Sequence, residues 1–165
     1  MDAASRRYGA AQTAIFCVYA AAYLLVPGPV LFAGGAPRVA GAVLCAAGLL
    51  LMLASVWTLR RVIQVAPEPR ADAHLVTRGP YAALRHPIYT GILLVVAGLC
   101  LRHPTWLVVA LTLGVFAYLA LKVQLEERLL LARYPGYADY RARSWGLVPG
   151  FGRARAGRAP ATPSG

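Results

Sequence analysis

His86 stands directly before Pro87, with Tyr81 and Tyr89 close on either side, in a short stretch where a polar segment meets an apolar run. The residue before a proline is pushed towards extended geometry. The proline itself suits the first turn of a helix, where its missing N–H costs nothing. This junction predicts a helix starting at Pro87, with His86 at its N-cap and the positive end of the helix beside the imidazole, where an anion binds well. Tyr81 and Tyr89 offer aromatic faces that attract a cation or stack on a purine. Gly79 allows close approach of backbone. Farther along, Glu126 lies one helical turn beyond Lys122, on the same face. Its carboxylate can hold hydroxyls or a cation, and the lysine can hold an anion. These groups together suit a ligand with a carboxylate, a positive centre and a purine riboside.

The elements that must position them follow from composition. At 165 residues the chain has the length of one domain, and 59% hydrophobic with 14% charged residues is a balance soluble domains seldom show. The apolar residues come in blocks, so the expected class is an all-α polytopic membrane protein with about four transmembrane helices and a cytoplasmic cofactor pocket. The expected spans are residues 13–32, 39–59, 87–101 and 105–121, and the last helix continues as a cytoplasmic helix over 122–133. Pro27-Gly28-Pro29 ends or kinks the first helix, residues 34–38 form a turn, and Arg60-Arg61 halts the second helix. Pro67 and Pro69 disfavour a helix in the polar insert, and Pro135-Gly136 ends the last one. Residues 1–152 make the single expected domain, and 153–165 a disordered basic tail. Trp57 and Trp106 are placed as interfacial anchors.

The net charge of +11 is spread over the ends of apolar runs, which suits membrane lipids and not nucleic acid. Fifteen of the seventeen Lys and Arg residues, all but Arg38 and Arg102, fall on the side of both termini and of the insert before His86. The positive-inside rule therefore puts both termini in the cytoplasm. The abundance of Ala, Gly and Arg points to a GC-rich bacterial genome, hence to the inner membrane. Cys17, Cys45 and Cys100 lie in apolar runs without metal-like spacing and read as small hydrophobes. A cleaved signal peptide is the rival reading of the first run. Nothing in the sequence sets the oligomeric state.

S-adenosyl-L-methionine has all three features of the ligand described above. The order Leu75-Val76-Thr77-x-Gly79-x-Tyr81-x-x-x-Arg85-His86-Pro87-x-Tyr89-x-Gly91, then Glu126-Glu127 and Tyr137-x-x-Tyr140, resembles the isoprenylcysteine carboxyl methyltransferase family, which is allied to membrane phospholipid methyltransferases. The resemblance covers roughly residues 75–149. It implies a methyltransferase whose S-adenosylmethionine pocket is lined by Ala73, His74, Leu75, Val76, Tyr81, His86, Tyr89 and Glu126, with a lipophilic or small methyl acceptor. Relatives carry an arginine one turn before the glutamate; Lys122 stands there, keeping the charge for acceptor positioning but losing the bidentate fork. His74 is offset by one from the histidine that some relatives have.

Each residue has a plainer rival taken alone. His86 could merely cap its helix, the tyrosines could belong to an interfacial belt, and Glu126-Glu127 could be a solvated face. Their joint order favours the site. Two other functions stay open: an NADPH-dependent sterol-type membrane reductase, whose relatives share an Arg-His-Pro-x-Tyr segment, and a non-catalytic accessory protein on the same scaffold.

Overall fold

A computed structural model describes residues 3–65, 75–148 and 150. Among them the structure is all-helical: α1 (Ala3–Leu25), α2 (Gly35–Val65), α3 (Pro80–Ala83), α4 (Pro87–Arg102), α5 (Trp106–Arg133) and α6 (Tyr137–Arg143). No strand occurs among the described residues, only isolated backbone bridges between Val30 and Thr105 and between Leu84 and Trp145.

Two helices, Gly35–Arg60 and Trp106–Arg133, are long and apolar enough to cross a membrane, where the sequence led us to expect about four. The other two apolar helices, Ala11–Leu25 and Pro87–Arg102, are shorter. Proline bounds α1 at its C-terminal end and α4 at both ends. Pro27-Gly28-Pro29 stops α1 at Leu25, so residues 26–32 of the expected first span are not helical. Pro87 and the Arg102-His103-Pro104 turn confine α4 to 16 residues, about 24 Å at 1.5 Å per residue. Other boundaries also move. The expected turn over 34–38 is largely the first turn of α2, where Pro37 is well tolerated. Arg60-Arg61 ends the apolar run but not the helix, which goes on to Val65 because nothing before Pro67 breaks it. The continuation of α5 to Arg133 is as expected. The expected disorder from Arg153 lies outside the described residues.

The chain forms two compact units, Met1–Leu50 with Gly91–Leu121 and Leu51–Thr90 with Lys122–Gly165. In the first, α2 and α4 meet through small residues. A Cβ built on Gly41 would come within 2.5 Å of the Gly98 carbonyl oxygen, and one on Gly48 within 2.5 Å of the Gly91 carbonyl oxygen. Backbone-to-backbone approach of this kind replaces the hydrophobic drive that helices lack in lipid. From α1, Tyr19 donates its hydroxyl to the Val96 carbonyl at 3.0 Å and lies 3.0 Å from Thr112 Oγ1, so its polar end is satisfied in an apolar setting. Leu50, Leu53 and Trp57 stay more than half exposed along α2, an outward apolar face that suits lipid and not water.

In the second unit, Gly79 has φ +57° and ψ −136°, a backbone region that side chains disfavour, and a Cβ there would meet Thr58 Oγ1 at 2.8 Å. The close approach that Gly79 allows is to helix α2. The segment after α5 is tied back onto the chain before α4. Trp145 N donates to the Ala83 carbonyl at 2.8 Å, and Arg85 N to the Trp145 carbonyl at 2.9 Å. Tyr140 adds a hydroxyl bond of 2.6 Å to the Tyr81 carbonyl.

Candidate functional site

The site is built within the second unit, from the residues around Pro87 and the charged end of α5. Pro87 opens α4, and the His86 carbonyl accepts from Thr90 N at 3.0 Å and from Thr90 Oγ1 at 3.1 Å. The backbone of His86 thus serves the helix start, while its imidazole faces the two glutamates of α5. Nδ1 lies 3.6 Å from Glu126 Oε2, and Nε2 lies 3.5 Å from Glu127 Oε1. The ring is 7% exposed, and its Nε2 has no hydrogen-bond partner. It stacks on Tyr89, with centroids 5.7 Å apart and planes 7° from parallel. The plain helix-cap reading of His86 therefore does not account for its side chain.

Glu126 and Glu127 do different things although they are neighbours. Glu126 Oε1 accepts from the Tyr89 hydroxyl at 2.7 Å and lies 3.9 Å from Lys122 Nζ. Lys122 Nζ is also 5.0 Å from the centre of the Tyr89 ring. A carboxylate offers about four acceptor positions, so Glu126, whose side chain is 34% exposed, keeps capacity for a ligand donor.

Glu127 is held by the protein. Its Oε1 accepts from Arg85 Nε at 2.7 Å, and its Oε2 lies 3.3 Å from Arg141 Nε. Arg85 is itself fixed, donating through Nη1 to the carbonyls of Ser144 at 2.6 Å and Arg141 at 3.1 Å. Both glutamates lie beyond the apolar part of α5, which ends at Leu121 before the first charge. Burial alone would raise the Glu127 pKa, but the hydrogen bond and charge of Arg85, with the His86 imidazole close by, outweigh it and hold the carboxyl at about 2. It is ionised at neutral pH. Burial pushes the hydroxyls of Tyr137 and Tyr140 up to about 12, so both stay neutral.

Tyr81, Arg85, His86, Tyr89 and Glu126 line one cleft of about 170 Å³, together with Pro87 and Ile88. Four of the residues expected from sequence, Tyr81, His86, Tyr89 and Glu126, therefore meet at one place. Lys122 reaches its edge through Glu126 and the Tyr89 ring. Leu75 and Val76 are half-buried and are not among the lining residues. Ala73 and His74 lie outside the described residues. Ligand pockets usually measure ~300–1,000 Å³, and the cleft that the described residues form is smaller than that. Sequence reasoning set Arg85 and Glu127 in the family pattern without a role of their own, and did not single out Arg141 or Ser144. The available signal was Arg85 beside His86 and the doubled glutamate, but burial of that charge cannot be read from spacing.

A structure that is all-helical among the described residues, with two helices long and apolar enough to cross a membrane, suits a membrane protein. The Phospholipid methyltransferase family model matches residues 37–136, more than half the chain, and the protein belongs to that family, which groups isoprenylcysteine-type and phospholipid methyltransferases. It is also similar to the cobalt-zinc-cadmium resistance protein CzcN of Cupriavidus metallidurans, 33% identical over 81 residues. That match covers 48% of this chain and 38% of the relative's length. No solved structure matches.

Proposed function

We propose that the protein is an S-adenosylmethionine-dependent integral membrane methyltransferase that acts on a lipophilic or small acceptor at the cytoplasmic membrane face. The observation that carries this reading is the meeting of His86, Tyr89, Tyr81 and Glu126 in one cleft. Family membership supports methyl transfer as the reaction class.

The donor set fits the cofactor. Glu126 can accept from ribose hydroxyls or from an ammonium group, and the Tyr89 hydroxyl fixes that carboxylate in place. The parallel His86 and Tyr89 rings present π-faces suited to a cation or a base. When bound, S-adenosylmethionine supplies an activated methyl group. The chain's own task is then orientation and exclusion of water. Glu127 holds the imidazole of His86 from behind, and Arg85 keeps Glu127 ionised. Lys122 carries the positive charge at the cleft edge and positions an anionic or polar acceptor group.

Four passages through a bacterial inner membrane, with both termini in the cytoplasm, put this cleft at the cytoplasmic face. In that topology α4, with 16 residues, is the thin span. A soluble donor reaches the cleft from the cytoplasm, and a lipophilic acceptor enters laterally from the bilayer.

The test is calorimetric binding of S-adenosylhomocysteine to the detergent-purified full chain, with His86→Ala and Glu126→Ala alongside. Micromolar binding that both substitutions abolish is the expected result. A well-folded protein that binds NADPH and not S-adenosylhomocysteine is a reductase. One that binds neither is an accessory protein.

A further inference from the structure

The first unit contains a second cavity, of about 560 Å³, lined by residues 23–27 at the end of α1 and by Arg38, Arg102 and His103. The same three basic side chains line a smaller adjoining cavity of about 20 Å³. Arg102 Nη1 donates to the Arg38 carbonyl at 3.4 Å, which brings its guanidinium to the first turn of α2, where Arg38 stands. His103 packs edge-on against Tyr23 at 5.8 Å. Beside this positive group, Leu24 and Leu25 are 75% and 76% exposed.

Among the described residues of their own unit these charges have no acidic counter-ion. The sequence holds no Asp or Glu between Asp2 and Glu68, and none between Asp72 and Glu126. Asp2 is thus the single acid of that unit, and it lies outside the described residues. In the proposed topology these are also the two arginines that break the positive-inside bias, so they need a reason to be there. Guanidinium groups match phosphate oxygens bidentately, and an apolar wall beside them suits an acyl chain.

We propose that this cavity binds the phosphate headgroup of an anionic phospholipid through Arg38 and Arg102, with an acyl chain along Leu24 and Leu25. The site is separate from the cleft at His86 and does not depend on the methyltransferase reading.

The experiment is native mass spectrometry of the detergent-purified full chain titrated with dioleoylphosphatidylglycerol. Dioleoylphosphatidylcholine, dioleoylglycerol and inorganic phosphate are the comparison probes. The expected order puts phosphatidylglycerol first, with dioleoylglycerol and phosphate binding negligibly. Arg38→Gln and Arg102→Gln each weaken phosphatidylglycerol about fivefold, the usual contribution of one basic residue near an anionic surface. The charge-keeping Arg38→Lys and Arg102→Lys variants lose less. Equal binding of the two phospholipids, undiminished binding by the glutamine variants, or saturation by inorganic phosphate would each overturn the proposal. Should the glutamine variants not fold, a phosphatidylglycerol with a photoreactive acyl chain decides on the wild type. Adducts within residues 23–27 are expected, and adducts confined elsewhere overturn it.

Discussion

Arg85 Nε donates to Glu127 Oε1 at 2.7 Å, and that same oxygen lies 3.5 Å from His86 Nε2. One carboxylate oxygen thus ties together the arginine and the histidine that immediately precede α4. The Arg85 and Glu127 side chains are 2% and 11% exposed, so the pair is sheltered from water. A sheltered pair gains little over apolar packing, but each member depends on the other.

Arg85→Ala and Glu127→Ala should each destabilise the folded protein by ~3–5 kcal/mol, because each breaks a sheltered ion pair by removing one partner. The exposed neighbour Arg128→Ala should change little. Thermal unfolding of the three variants in one detergent checks this. Arg85→Met combined with Glu127→Leu should recover much of the loss, and failure to recover would mean that the carbonyls of Arg141 and Ser144 need the guanidinium in its own right.

Acid should unfold this unit through the same carboxylate. The folded pKa of Glu127 is held at about 2, below its ordinary 4.5. A depressed carboxyl pKa stabilises the fold above the unfolded value, and that contribution is lost as pH falls from about 4.5 towards 2. Tyr137 and Tyr140 have the opposite sign. Their pKa values, raised to about 12 from 10.0, add stability below pH 10 that is lost as pH climbs towards 12. Melting curves across both ranges should show an acid limb that Glu127→Gln flattens and an alkaline limb that it leaves in place.

The long apolar runs and the start of α4 at Pro87 were legible because block hydrophobicity and proline position are local signals. So was the shared face of Lys122 and Glu126, which needs only helical spacing. The length of α4 was legible as well, since the expected 87–101 nearly coincides with Pro87–Arg102, whereas α1 stops at Leu25, short of the expected residue 32. Gly41 and Gly48 on α2, and Gly91 and Gly98 on α4, repeat at an interval of seven, which could have announced a close antiparallel contact. The tie from Arg85 through Glu127 to Arg141 and Ser144 was not legible. It joins residues far apart in sequence, and nothing in a single chain says that such charges are buried together.

Gly79→Ala should cost about 1–3 kcal/mol, because the added Cβ takes up an unfavoured backbone region and meets Thr58 Oγ1 at 2.8 Å. Thr58→Ala alone should be mild. Paired with Gly79→Ala, it should relieve the contact but not the backbone strain. Unfolding of the single and double variants separates these two parts.

The two polar partners of Glu126 should separate in ligand binding. The Tyr89 hydroxyl donates to the carboxylate at 2.7 Å, whereas Lys122 lies 3.9 Å away as a looser ion pair. A hydrogen bond to a charged group contributes ~1.5–3 kcal/mol, so Tyr89→Phe should weaken S-adenosylhomocysteine at least about tenfold. Lys122→Ala should leave that affinity within about threefold, since a loose, partly exposed ion pair contributes ~1 kcal/mol or less and the proposed role of the lysine is with the acceptor. Calorimetry on both variants, with melting temperatures to confirm folding, decides between them. If Lys122→Ala loses the nucleoside while Tyr89→Phe keeps it, the lysine belongs to the donor side and the acceptor must be recognised by other groups.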